Sequence, residues 1–328
     1  MTSRKRSTLV LLALASALAT IAHAEDRKDC QLKKYGEVTF TTTEGGIPLV
    51  PVVLNDKPAH MILNTGAAFS FFFHRVIEQY SLPTHTAPNG IQLMGKPVLR
   101  VADFRSLAVA RVLLGKGTLL VTSEEVKLPD DDVVGFMALD QLSHVDFELD
   151  LARNRLALFS QEHCPNLGAY WSKEYAAMPM LQSAAGDWYV PMELDGKKVA
   201  ASLSTFAVET SITTEATRKL YGFDENSAGV ETEADANSNG ARYHFRAMQM
   251  TAPGLTIKNS HVRLRKGPNC PLFTGGSKNM ATYGDTCAGV YPMTVGRSVL
   301  KELRLYFSTK EKMLYFTSAD AGKQTPSE

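Results

Sequence analysis

The chain has 328 residues, of which 44% are hydrophobic and 21% charged, with a formal net charge of +1. That length and apolar content support one large or two small domains with proper cores. The near-neutral balance argues against nucleic acid or an anionic membrane surface as a partner.

At the N-terminus, Arg4-Lys5-Arg6 precede an apolar stretch over residues 9–21 and then Ala22-His23-Ala24. A basic start, a short apolar core and an Ala-x-Ala site describe a secretory signal peptide over 1–24, cut after Ala24. Its removal takes away three basic residues and leaves a net charge of −2. No other apolar run is long enough to span a membrane. The expected location is therefore outside the cytoplasm, periplasmic or secreted. The four cysteines are Cys30, Cys164, Cys270 and Cys287. In an exported chain they read as two disulfides with three possible pairings. Cys30 and Cys164 bracket one half of the chain and Cys270 and Cys287 lie close together in the other, which favours Cys30–Cys164 and Cys270–Cys287.

Residues 37–43 mix apolar residues with threonine and read as one antiparallel strand. The turn Glu44-Gly45-Gly46 leads into a β-branched run over 50–54. A polar turn, Asn55-Asp56-Lys57, joins that run to residues 59–63, which stop at Asn64-Thr65-Gly66. Apolar runs bounded by turn residues predict strand, hairpin turn, strand and a close-approach loop. The aromatic stretch after it, within 67–73, reads chiefly as core. A short helix pattern follows over 73–82, then several strands with Gly breaks over 91–121. Residues 133–142 carry two hydrophobics and a small residue, Phe136-Met137-Ala138, ahead of a short helix. A hairpin joins 145–150 to 155–159 through Ala152-Arg153-Asn154. Residues 161–176 form a connection. Residues 224–240, acidic and rich in Asn, Ser, Ala and Gly, read as a mobile loop, and 319–328 as a disordered tail.

The first hairpin and its loop recur at an offset of 140 residues: Val50 meets Val190, Pro51 Pro191, Leu63 Leu203, Thr65 Thr205 and Ala67 Ala207, without a gap. The end of the unit recurs as Thr294-Val295-Gly296, a helix over 297–300 and a hairpin of 303–307 with 313–316. A repeat of this length in register indicates a duplicated lobe. Ser204 stands where the first copy has Asn64.

Strand, turn, strand and a loop of two hydrophobics followed by Asp-Thr-Gly is the hallmark of aspartic peptidases. Residues 30–318 resemble a bacterial, exported, retropepsin-like or pepsin-like aspartyl protease with two lobes in tandem. The resemblance implies an all-β, bilobal fold made of two duplicated β-barrel-like lobes, 25–165 and 166–318. It also implies a hairpin within 91–121 that covers an interlobe cleft, and Phe136-Met137-Ala138 threading beneath the first motif loop. Thr65 and Thr205 should hydrogen-bond across the lobe junction. The departure is as informative: the family carries Asp-Thr-Gly in each lobe, and this chain has Asn64-Thr65-Gly66 and Ser204-Thr205-Phe206.

Aspartic peptidases use two carboxylates about 3 Å apart that share one proton. Asn64 is an amide and Ser204 a hydroxyl, and neither titrates near neutrality. Loss of general acid–base help costs about 10²- to 10⁴-fold in rate, and here both partners are missing. Phe206 replaces a glycine, so its ring either enters the cleft or packs in the core. Ser204 as a nucleophile would need a positioned base, and the histidines are scattered along the chain. Asp285-Thr286 mimics the motif, but its flanks, Gly284 and Cys287, suit a disulfide loop. There is no phosphate-binding Gly-rich loop and no close pair of Cys ligands, so neither cofactor nor metal is expected. His163, beside Cys164, reads as a surface residue.

Three functions remain in view at this stage. One is a monomeric, exported protein without peptidase activity that binds an extended peptide or protein in the remnant cleft. The second is a working endopeptidase with an unrecognised dyad. The third is a structural exported protein with a closed cleft.

Overall fold

The computed structural model describes residues 30–93, 96–122, 132–183, 186–232, 241–244, 247–250, 256–258, 261–267 and 291–321. The expected 1–24 signal segment, Cys270, Cys287, Asp285-Thr286 and residues 233–240 and 322–328 lie outside them. The described residues form an all-β, two-lobed architecture as anticipated. An eight-stranded sheet is built from the first repeat and a ten-stranded sheet from the second, while a six-stranded sheet draws strands from both.

The duplicated hairpins match closely. Pro48–Leu54 pairs antiparallel with Lys57–Leu63, and Trp188–Leu194 with Lys197–Leu203. Both turns need positive φ at two central residues: Asn55 (47°) and Asp56 (67°) in the first, Asp195 (45°) and Gly196 (75°) in the second. Turns of that hand match the twist of the flanking strands, and Asn, Asp and Gly tolerate it best. Val133–Met137 then runs parallel to Lys57–Leu63, and Met293–Val295 parallel to Lys197–Leu203. Each crossing strand accepts the amide at the head of a motif loop: Asn64 N–H donates to Met137 O, and Ser204 N–H to Val295 O, both at 2.9 Å. The expected passage of Phe136-Met137-Ala138 beneath the loop is thus found.

The six-stranded sheet has no counterpart in the sequence reading. Lys34–Thr39, Arg155–Phe159 and Asp146–Asp150 come from the first repeat, and Leu303–Ser308, Met313–Ser318 and Ala176–Pro179 complete it. Phe147 and Phe307 stack at its centre, ring centroids 4.4 Å apart. The Cys30–Cys164 disulfide, one of the two expected, ties its edge, with Cα atoms 4.8 Å apart.

Several local expectations need correction. Residues 37–43 do not form one strand: Lys34–Thr39 joins the six-stranded sheet, whereas Thr41–Thr42 joins the eight-stranded one. Phe40 between them is buried in the core, and its N–H donates to Asn154 O. One large side chain thereby switches the chain between sheets. The stretch 91–121 holds two hairpins, Gln92–Leu93 with Lys96–Pro97 and Arg100–Val109 with Val112–Val121. Phe71, Phe72 and Phe73 are core, but Phe69 is exposed. The start of the supposed mobile loop is ordered, because Asp224 accepts the Asn226 N–H and the Ser227 hydroxyl, and Val230–Thr232 is a strand. Ala319, placed in the tail by composition, is buried, and its N–H donates to Glu302 O.

Candidate functional site

The two motif loops meet at the junction of the lobes and hold each other by reciprocal hydrogen bonds. Thr65 N–H donates to Thr205 Oγ1 at 3.2 Å, and Thr205 N–H to Thr65 Oγ1 at 3.3 Å. Each hydroxyl in turn donates to a carbonyl of the opposite strand, Thr65 to Leu203 O at 2.6 Å and Thr205 to Leu63 O at 2.5 Å. Both threonines are buried, so each polar atom depends on this lattice for its partner. The partners are 140 residues apart, which is the offset of the repeat.

Asn64 and Ser204 face each other above this lattice. Ser204 Oγ donates to Asn64 Oδ1 across 3.3 Å. Asn64 Oδ1 also accepts the Gly66 N–H at 3.1 Å, and Ser204 Oγ accepts the Ala207 N–H at 3.1 Å. The Gly66 amide is a donor, so it fixes the side-chain oxygen of Asn64 inward. Among the described residues no acceptor takes the two protons of the Asn64 amide nitrogen, and the residue is half-buried. Close approach requires a glycine at position 66: a Cβ there would lie 2.7 Å from Ser204 Cβ.

No proton can be shared between an amide and a hydroxyl as it is between two carboxylates. The hydrogen bonds of Ser204 run to an amide oxygen and a backbone N–H, and among the described residues none runs to a histidine that could serve it as a base. Among the described residues no group of His, Cys, Asp and Glu could hold a metal ion.

Phe206 takes neither of the two positions expected for it in full. Its ring is 41% exposed and leans edge-on against Phe136, with centroids 5.1 Å apart. Phe136 in turn stacks on Phe71 at 4.7 Å. Phe206 thus touches the aromatic core while part of it stays open to solvent.

The residue that secures this loop was not singled out by the sequence reading. Arg297, at the start of helix Arg297–Leu300, is only 7% exposed. Its Nη1 donates to the carbonyls of Thr205 (2.8 Å) and Phe206 (2.6 Å), and its Nη2 to the carbonyl of Gly45 (2.7 Å) in the other repeat. Burial pushes its pKa below the ordinary guanidinium value, though a guanidinium remains charged in proteins. The first repeat has Leu139 at the start of the equivalent helix. Backbone acceptors leave no trace in a sequence, so only the place of Arg297 in the short helix over 297–300 was legible.

His163 is also not the surface residue expected. Its side chain is 1% exposed and bonds Asp146 Oδ2 through Nε2 at 2.7 Å, with Nδ1 against Cys164 O at 2.8 Å. Burial opposes the charged ring, but the Cys164 carbonyl, Asp146 and Glu311 outweigh it and raise its pKa.

No family model matches the sequence, and no curated protein matches it. Among solved structures, the chain is similar to the aspartic proteinase from Irpex lacteus, with a TM-score of 0.52 and 11% identity, covering 89% of this chain and 99% of that one. It is also similar to basic 7S globulin from soybean, with a TM-score of 0.48, 9% identity and coverage of 91% and 98%. A retropepsin-like aspartic protease from Rickettsia conorii matches with a TM-score of 0.30 and 11% identity, over 40% of this chain and 95% of that one. The likeness to the Irpex lacteus proteinase establishes a shared aspartic-proteinase fold and says nothing of chemistry.

Proposed function

We propose that this is an exported protein that uses the aspartic-proteinase fold to bind an extended peptide or protein segment and does not cleave it. The observation that carries this reading is the Ser204–Asn64 contact, 3.3 Å long and neutral, where the fold's enzymes need a pair of carboxylates. The junction beneath it keeps every threonine hydrogen bond, so the scaffold is retained while the proton-sharing pair is absent. The unspent amide protons of Asn64 suit a peptide carbonyl. The open part of Phe206 suits an apolar side chain, with the favourable ring contacts aromatic residues bring to interfaces. An exposed Phe206 ring also speaks against a junction sealed by that side chain.

Export is supported by the Cys30–Cys164 disulfide, since such bonds persist in oxidising compartments. Among the described residues no helix is long and apolar enough to cross a membrane. N-terminal sequencing of exported material should find Glu25 first, and soluble cytoplasmic protein that retains Met1 would contradict export. The functional test is incubation with a mixed peptide library from acid to neutral pH, scored separately for cleavage and for retention on the protein. Retention without cleavage is expected. Turnover blocked by a pepstatin-type inhibitor would favour the endopeptidase reading, and neither retention nor turnover would favour a structural role.

A further inference from the structure

A pocket of about 310 Å³ lies between the Gly45-Gly46 turn of the first repeat and the Arg297–Leu300 helix of the second. Among the described residues its polar lining is Thr42, Asn154, Ser298, Arg297 and Lys301, with no acidic residue. The volume is at the lower end of ligand-sized clefts, which run from about 300 to 1,000 Å³.

Arg297 gives this pocket its character. A guanidinium has five N–H groups, and Arg297 spends three on the carbonyls of Thr205, Phe206 and Gly45. All three acceptors are neutral, so a nearly fully buried cation has no counter-charge. A charge in that position is costly until an anion joins it. The unspent N–H groups are Nε–H and one on Nη2. Gly46 lies beside these two nitrogens: a Cβ built there would stand 3.9 Å from Nε and 4.0 Å from Nη2. Gly46 has a φ of +75°, a conformation that disfavours side chains, so no side chain at this position crowds the guanidinium. Two N–H donors of one guanidinium match the two oxygens of a carboxylate. Lys301, exposed at the rim, adds a second positive charge, and its carboxylate neighbour Glu302 is also exposed, 3.8 Å away.

We propose that this pocket recognises a carboxylate on the bound peptide, with the unspent N–H groups of Arg297 as the fork and Lys301 as the rim charge. The inference rests on the peptide-binding reading and adds a specificity to it. The pocket adjoins the motif loop directly, because Val208, two residues beyond Phe206, forms part of its wall. A chain laid over Phe206 therefore reaches the pocket with a neighbouring side chain or with its own end. Only the second repeat has an arginine here, Leu139 being the first-repeat equivalent, so the carboxylate also sets the direction in which the peptide lies.

The test uses the mature protein and three pools of acetylated dodecapeptides, randomised among uncharged residues. The first pool carries one Glu and an amidated C-terminus. The second has Gln in place of Glu and a free C-terminal carboxylate. The third has Gln and an amide, and so no carboxylate at all. We expect either the first or the second pool to be retained at least about tenfold better than the third, the scale of a charge-assisted hydrogen-bonded pair. Whichever pool gains identifies the source as an acidic side chain or a chain end. Lys301→Glu, at an exposed site, should cut the preferred pool's advantage by about fivefold. Arg297→Lys should cut it further if the variant keeps its native circular dichroism. Equal retention of all three pools would overturn the carboxylate pocket while leaving peptide binding intact. Retention of none would overturn both.

Discussion

Restoring aspartates to the motif provides the sharpest check on the junction's chemistry. In Asn64→Asp, the new carboxylate keeps the two donors that Asn64 Oδ1 now accepts, the Gly66 N–H and the Ser204 hydroxyl. Both bonds favour the ionised form and depress its pKa, so this variant has a base with no partner to hold a proton and should not cleave peptides. Adding Ser204→Asp sets two carboxylates about as close as the present 3.3 Å contact. At that distance their repulsion is on the order of 5 kcal/mol for an effective dielectric of about 20. The folded protein escapes it by sharing one proton, so one pKa of the pair rises well above its unfolded value of about 4. The sign follows: below about pH 4 the penalty is absent, and it grows as pH rises until it is complete above the raised pKa. Urea unfolding of the double variant against the native protein should therefore show a stability gap that widens by about 3–4 kcal/mol between about pH 4 and pH 7, the most that one proton can contribute over that range. Pepstatin-sensitive cleavage is expected only when Phe206→Gly is added as well. A gap independent of pH would mean that the two positions do not face each other as described, and turnover by Asn64→Asp alone would refute the need for a paired acid.

Other consequences are more local. Thr205→Val keeps the shape but strands the Thr65 N–H and the Leu63 carbonyl, and it should cost about 2–4 kcal/mol in chemical unfolding. A cost below about 0.5 kcal/mol would show the lattice to be dispensable. His163, whose pKa is raised by Cys164 O, Asp146 and Glu311 against the opposing effect of burial, lends stability that is complete below its unfolded pKa of about 6.5 and is lost as pH rises through the higher folded value. The melting temperature should thus fall from about pH 6 to pH 8, and His163→Gln should flatten that slope. Tyr306, which also faces Asp146 at 3.4 Å, has its pKa raised by burial and stays neutral over this range. Reduction of Cys30–Cys164, which closes a separation of 134 residues, should cost up to about 5 kcal/mol by freeing the unfolded chain, read as a shift in the urea midpoint with and without reductant.

What was legible in the sequence is what repeats. Asn55-Asp56 and Asp195-Gly196 are local turn chemistry, and local chemistry can be read without the fold. Thr65 and Thr205 stand at the same offset, so their meeting across the junction could be anticipated from the register alone. The six-stranded sheet could not, because it is made by pairing between the copies: Asp146–Asp150 beside Leu303–Ser308 joins segments that each read as an ordinary hairpin. Phe40 was hidden for a similar reason. An apolar residue in a strand pattern looks the same whether the strand continues or crosses to another sheet, and only the pairing of Thr39 with Arg155 and of Thr41 with Leu49 distinguishes them. His163 was misplaced because its neighbour in sequence, Cys164, is visible, whereas the carboxylate that holds it comes from Asp146 on an adjacent strand.

The same contrast separates the two halves of the site. Asn64 and Ser204 stand out against the Asp-Thr-Gly pattern that the sequence resembles, since a motif makes a departure visible. Arg297 has no motif to break. Its role comes from three carbonyls supplied by Thr205, Phe206 and Gly45, and a carbonyl is the one polar group that every residue carries. A neutral Asn–Ser contact makes no electrostatic demand on its surroundings, whereas a pair of carboxylates would load the junction with negative charge. Among the described residues, the buried charge that bonds the second motif loop is the positive one on Arg297.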